Sequence, residues 1–195
     1  MSKINDFSDF HPLTRKEWRD WLKNNHDKFS GIWFVYYKKQ TGKPRVTYNE
    51  AVEEALCFGW IDSLPRRVDE NISKLLFTPR KPKSVWSKLN KERIEKLIED
   101  GLMTEIGLAK IKAAKADDSW NILNDSDNLE VPTDLAQAFE ANKIAAKNFT
   151  AFSDSVKRNI LFWVGGAKRD ATRAARIGKT VAMAERNKRA NYDKD

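Results

Sequence analysis

Hydrophobic and polar positions change period several times along the first half of the chain, and each change marks an element. Trp18, Trp21 and Leu22 recur at i, i+3 and i+4 behind Thr14-Arg-Lys-Glu17, a capping box, and predict a short helix that ends before His26. Gly31-Ile-Trp-Phe-Val-Tyr-Tyr37 is β-branched and aromatic throughout and stops at Lys38-Lys39, which predicts a strand. Thr41-Gly-Lys-Pro44 supplies a turn. A second capping box, Thr47-Tyr-Asn-Glu50, opens a helix with Val52, Ala55 and Leu56 inward, stopping at Gly59. Two strands follow, Trp60-Ile-Asp-Ser-Leu64 and Lys74-Leu-Leu-Phe-Thr78, joined around the turn-forming Asp69-Glu-Asn71. Pro79 and Pro82 then hold the backbone extended until Ser84 or Ser87 caps a helix that runs to Asp100 and closes at Gly101. Thr104 to Lys115 continues as another helix.

From Asp117 to Val131 the periodic apolar signal disappears, and Pro132 ends the stretch, so residues 117–132 are expected to form an acidic linker. Beyond it the pattern is helical throughout: Leu135–Phe139, Asn142–Phe152, Ser153–Val164 and Lys168 to about Arg189. The expectation is an α+β protein. A small antiparallel sheet of about three strands, flanked by helices, fills residues 1–116, and an all-helical unit fills residues 133–195.

Composition narrows the class. The chain has 195 residues, 41% apolar and 33% charged, with 21 aromatic side chains, which fits a folded protein rather than a disordered one. No run approaches the ~18 apolar residues of a membrane span, and the acidic N-terminal stretch lacks a secretory core, so membrane insertion is not expected and the cytoplasm is. A lone Cys57 with only His11 and His26 leaves no zinc spacing and little material for a histidine-based catalytic centre. Gly-rich phosphate loops, HExxH and GxSxG are absent, and no cofactor is expected.

The formal net charge of +8 is unevenly distributed. Residues 60–98 carry ten Lys/Arg against five acids, residues 166–195 carry nine against four, and residues 117–142 hold seven acids and no basic residue. Two blocks could face anions. In the first, Arg80 and its lysine neighbours precede a helix start, with Ser84, Ser87 and Asn90 as short donors, Trp86 between them, and Arg66 and Arg67 on the adjacent hairpin. A guanidinium beside a helix N-terminus suits phosphate or carboxylate. Asp62 then reads as the ion-pair partner of Arg66 or Arg67. The plain alternative makes the serines caps, Trp86 core, and the cations solubilising. In the second block, Lys168, Arg169, Thr172, Arg173 and Arg176 fall on one helix face as a basic strip, a surface for nucleic acid or for nothing in particular. Cys57 reads as a small buried hydrophobe.

Several ordered motifs resemble the YdeI/OmpD-associated family. They are Ala55-Leu-Cys-Phe-Gly-Trp-Ile-Asp-Ser63, Phe77-Thr-Pro-Arg80 with Ser84, Trp86-Ser87 and Asn90, Leu97-Ile98, and Gly101-Leu-Met103 with Gly107-Leu108. To these the tail adds Trp163, Ala167-Lys-Arg169, Thr172-Arg173 and Arg176-Ile177. The resemblance extends from about Trp18 to Ala184. Asp117-Asp118-Ser119-Trp120 departs from it by lacking a glycine before the tryptophan. The resemblance implies a bacteriocin-protection or stress-resistance role and a YjbR/CyaY-like, frataxin-related fold class. The basic first helix and strand speak against a frataxin-like metal chaperone. The combined expectation is a binding protein whose basic groove holds an anionic small molecule or an acidic protein surface, with nucleic acid as the alternative partner and enzymatic activity as a remote third.

Overall fold

The structure is a computed structural model that describes residues 6–193. The chain divides into two compact units at Trp120/Asn121.

The first unit is built on four strands, β1 (Asp9–Phe10), β2 (Ile32–Tyr37), β3 (Trp60–Arg67) and β4 (Ile72–Pro79), in the spatial order β1-β2-β4-β3. The β2-β4-β3 portion is antiparallel, as the pattern predicts. The sheet as a whole is mixed, which corrects the expectation of an antiparallel one: β1 pairs parallel to β2, with Asp9 opposite Trp33 and Phe10 opposite Phe34. Two residues are too few to show a period, so β1 exists only through its backbone pairing. The β3/β4 hairpin turns where the Asp69 carboxylate accepts the backbone N–H groups of Asn71 and Ile72 at 2.6 and 2.7 Å.

Helices α1 (Arg15–Asn25), α2 (Tyr48–Cys57), α3 (Lys88–Glu99) and α4 (Glu105–Ala116) complete the unit. At α2 the capping box is complete, whereas at α1 the Glu17 carboxylate accepts from Leu13 N–H rather than from Thr14. The core joins Trp18 and Leu22 of α1, Ala51, Val52, Ala55 and Leu56 of α2, and Phe34, Trp60 and Phe77 of the sheet. Each large side chain buried there contributes about 1.5–3 kcal/mol. Trp18 keeps its indole N–H satisfied by donating to the Ala51 carbonyl at 3.0 Å. Glu54, also buried, accepts from Arg15 Nε and Arg19 Nη1, both at 2.6 Å, and so ties α1 to α2.

The second unit holds α5 (Asn124–Asp127), α6 (Thr133–Ala141), α7 (Lys143–Ala151), α8 (Asp154–Gly165) and α9 (Asp170–Glu185). Its core gathers Leu135, Phe139, Phe149, Ile160, Leu161, Val164 and Met183. The acidic stretch is structured rather than a free connector. Ser119 is buried and Trp120 packs on Trp86, their rings 5.2 Å apart, while α5 packs on α8. Buried single residues without periodicity escape any pattern search, which is why this stretch reads as a linker. No described helix is long and apolar enough to cross a membrane.

Candidate functional site

Strand β4 ends at Pro79, and the next residue, Arg80, donates its backbone N–H to the Gly59 carbonyl at 2.9 Å. Arg80 is only 2% exposed. Its guanidinium lies 3.5 Å from the centroid of the Trp86 ring, and Nη1 donates to the Val85 carbonyl at 3.1 Å and, at 3.5 Å, to Ser84 Oγ. Nε and Nη2 have no hydrogen-bond partner. These two N–H groups form the side-on edge of the guanidinium, the edge with which arginines bind carboxylates and phosphates in two parallel bonds. Burial pushes the Arg80 pKa down to about 10, with the Asp62 carboxylate pulling against it, so the group stays cationic at neutral pH.

Arg80 lines a cavity of about 80 Å³ whose wall also includes Trp86, Ser84 and, from α4 and the segment after it, Lys110, Ala114 and Ser119. Ser119 is likewise buried, and hydrogen bonding from Ser119, its backbone N–H donating at 3.0 Å, holds the Asp117 carboxyl below its ordinary range. Lys81, Lys83 and Asp117 stand on the same wall. The loop that carries the lysines is a tight turn: Ser84 N–H donates to the Lys81 carbonyl at 3.3 Å, Pro82 holds the second position, and Lys83 adopts φ +60°. A type II turn asks for glycine at that third position, so a lysine there is strained, and strain of this kind gathers at functional sites. Asp118 also adopts φ +60°, the conformation that a glycine before Trp120 would take freely.

Gly59 adjoins two of these residues, Arg80 and Lys110. Its φ is +71°, and a Cβ there would meet the Lys110 side chain at 2.6 Å. The absence of a side chain lets the stem of Lys110 cross the turn that also anchors the Arg80 backbone.

The residues singled out from the sequence therefore separate. Arg80, Ser84 and Trp86 share the cavity. Ser87 caps α3, accepting from Asn90 N–H at 3.4 Å, and Asn90 in turn accepts from Arg93 at 2.9 Å; neither lines the cavity. Arg66 lies over the Trp33 ring at 4.8 Å, and Arg67 donates to the Asp69 carbonyl in its own turn. Asp62 accepts from the Tyr48 hydroxyl at 3.0 Å, which corrects its expected pairing with Arg66 or Arg67. The reason is a register shift in β3 between Asp62 and Pro65: three residues of β3 span two of β4, and one extra residue turns Arg66 to the opposite face from Asp62.

On α9 the expected continuous basic strip is broken. Arg173 gives Nε and Nη2 to the two Asp134 oxygens at 2.5 and 3.0 Å. Arg176 donates to the Trp163 carbonyl and stacks 5.1 Å from that ring. Lys168, Arg169 and Thr172 remain exposed. A helical wheel places these side chains together but cannot say which of them the neighbouring helices claim.

Cys57 is buried, and burial pushes its thiol up to about 11, which holds it as the unreactive thiol. Among the described residues no cluster of three His, Cys, Asp or Glu could hold a metal ion. Lys110 and Ser119 are the site residues that sequence reasoning missed. Lys110 is one of several lysines on α4, and only the glycine at position 59 hinted that something passes close by.

Comparison with known families divides the chain in the same way as its architecture. The model for a domain of unknown function (DUF8412) matches residues 10–110, which include β2 to β4 and α1 to α3. The model described as bacteriocin-protection, YdeI or OmpD-associated matches residues 128–187, which include α6 to α9. The resemblance to that second family is thus borne out over the helical tail, while the motifs between Ala55 and Leu108 fall in the region of the first. No curated protein and no solved structure matches the chain, so the frataxin-related fold class gains no support from them.

Proposed function

Since residues 10–110, half of the chain, make this protein a member of the DUF8412 family, and its tail is of the YdeI/OmpD-associated type, we propose that it is a binding protein whose N-terminal unit captures an anion at Arg80. The observation that carries the reading is the enclosed guanidinium with its side-on edge unpartnered. A buried charge without an opposite partner costs several kcal/mol, and a bound oxyanion removes that cost. Lysines at the cavity wall add attraction during approach.

Differential scanning fluorimetry with phosphate, sulfate and acetate at constant ionic strength tests the reading. An anion at 100 times its Kd stabilises the protein by about 2.7 kcal/mol, and Arg80→Met abolishes the effect. The reading is lost if no anion raises the melting temperature of the wild-type protein, or if the rise survives in the variant.

Nucleic-acid binding through α9 is the weaker reading, because Arg173 and Arg176 are engaged within the helical unit.

A further inference from the structure

We propose that the anion held at Arg80 is a terminal phosphoryl group, and that Lys110 is the residue that selects it over a carboxylate. This inference rests on the anion-binding reading above. The chain itself shows what a carboxylate needs. Arg173 satisfies Asp134, and Arg189 satisfies Asp193, each through the same Nε and Nη2 edge that Arg80 leaves open, and each pair is complete with two oxygens on two N–H groups. The Arg80 cavity offers more than that. Ser119 adds an enclosed hydroxyl beside Asp117, and Lys110 lines the cavity from α4.

Two further cations, Lys81 and Lys83, stand against a single carboxylate, Asp117, on the same wall. A monoanionic carboxylate would be neutralised by Arg80 alone and would leave the lysines unused. A phosphoryl dianion has three terminal oxygens and a second charge. It can take the guanidinium edge with two oxygens and the Lys110 ammonium with its third oxygen and remaining charge. The cavity, about 80 Å³, accommodates such a group but not the body of a larger ligand, which would extend out past the lysine-bearing turn.

The stem of Lys110 packs on the glycine that ends α2 in a left-handed conformation. That stem crosses Gly59 at a distance that no side chain at position 59 would permit, and the Gly59 carbonyl anchors the Arg80 backbone. One glycine therefore adjoins both the Lys110 stem and the Arg80 backbone.

Isothermal titration calorimetry of the full chain with inorganic phosphate, glycerol phosphate, sulfate and acetate, at constant ionic strength, tests the inference. Phosphate and sulfate bind at least about tenfold tighter than acetate, and Lys110→Met removes roughly that factor for phosphate while leaving acetate unchanged. Methionine keeps the length of the stem, and an unchanged circular dichroism spectrum and melting temperature show that the variant is folded.

Acetate binding as tightly as phosphate, or an equal loss for both in Lys110→Met, overturns the phosphoryl assignment but leaves the anion site standing. If no anion binds to the wild-type protein, the anion site fails as well. Glycerol phosphate separates the sources: binding comparable to that of inorganic phosphate supports a phosphomonoester ligand. Binding of inorganic phosphate alone supports free phosphate, with the selecting role of Lys110 intact.

Discussion

Glu54 and Arg80 are equally enclosed, each 2% exposed and both in the sheet-bearing unit, yet their surroundings are opposite. Around Glu54 the fold brings two guanidiniums from α1, and Arg15 and Arg19 each supply a 2.6 Å bond to one carboxylate oxygen. Around Arg80 it brings an indole face, one carbonyl and one weakly bonded hydroxyl, with the nearest influence of opposite charge coming from Asp62 outside ion-pair distance. The first arrangement is what burial of a charge requires for stability. The second forgoes stability, and an apolar side chain would fill the space at lower cost. The difference separates a charge whose partners the fold supplies from one whose side-on edge it leaves unpartnered.

Substitutions can break that comparison, beginning with Glu54. Glu54→Ala removes the shared partner of Arg15 and Arg19 and is expected to cost about 3 kcal/mol in urea denaturation. Both arginines are already about a third exposed and can rehydrate, which keeps the loss from being larger. A loss below about 1 kcal/mol would place the triad among ordinary surface pairs.

Arg80→Met should go the other way. Without ligand it is expected to be neutral or to stabilise by about 1–2 kcal/mol, as replacement of an unpaired buried charge does. A destabilisation as large as that of Glu54→Ala would make Arg80 a structural residue and end the contrast.

Gly59→Ala combines a left-handed backbone with the collision against Lys110, and a cost of about 1–2 kcal/mol is expected from the backbone alone. Anion affinity should fall with it. Unchanged affinity in a folded Gly59→Ala protein would detach Gly59 from the site.

Asp134→Asn has the smallest expected effect, at most about 1 kcal/mol, since the Arg173 pair is partly exposed. The hydrogen bond from Arg173 holds the Asp134 carboxyl below its ordinary range, so its contribution is complete above the unfolded carboxyl pKa of about 3.9 and fades as pH falls through the lower folded value. Wild-type and Asp134→Asn proteins should therefore converge in stability toward acid. A gap that stays constant with pH would show that the pair contributes by packing rather than by charge.

Much of the fold was legible in advance because its signals are local. Thr47 with Glu50, Ser87 before α3, and the β-branched run of β2 act on neighbours within four residues, and each element stands close to where its pattern places it. The site was half legible. Arg80, Ser84 and Trp86 lie together in sequence, but Lys110 and Ser119 come from some 30 to 40 residues further on and carry no mark of their own. Asp62 and Arg66, four apart in a strand, have the spacing of side chains on one face until an extra residue between them reverses the second.

The sequence by itself determined the elements, their caps and turns, and the concentration of positive charge into two blocks, because these follow from propensity, period and composition. Which of those charges the molecule spends internally and which it keeps was decided only by the tertiary structure. Arg173 meets Asp134 from 39 positions away, and Arg80 is enclosed by side chains from α4 and the segment after it. Pairing and desolvation depend on distances through space, and those are fixed only when the sheet and helices have packed.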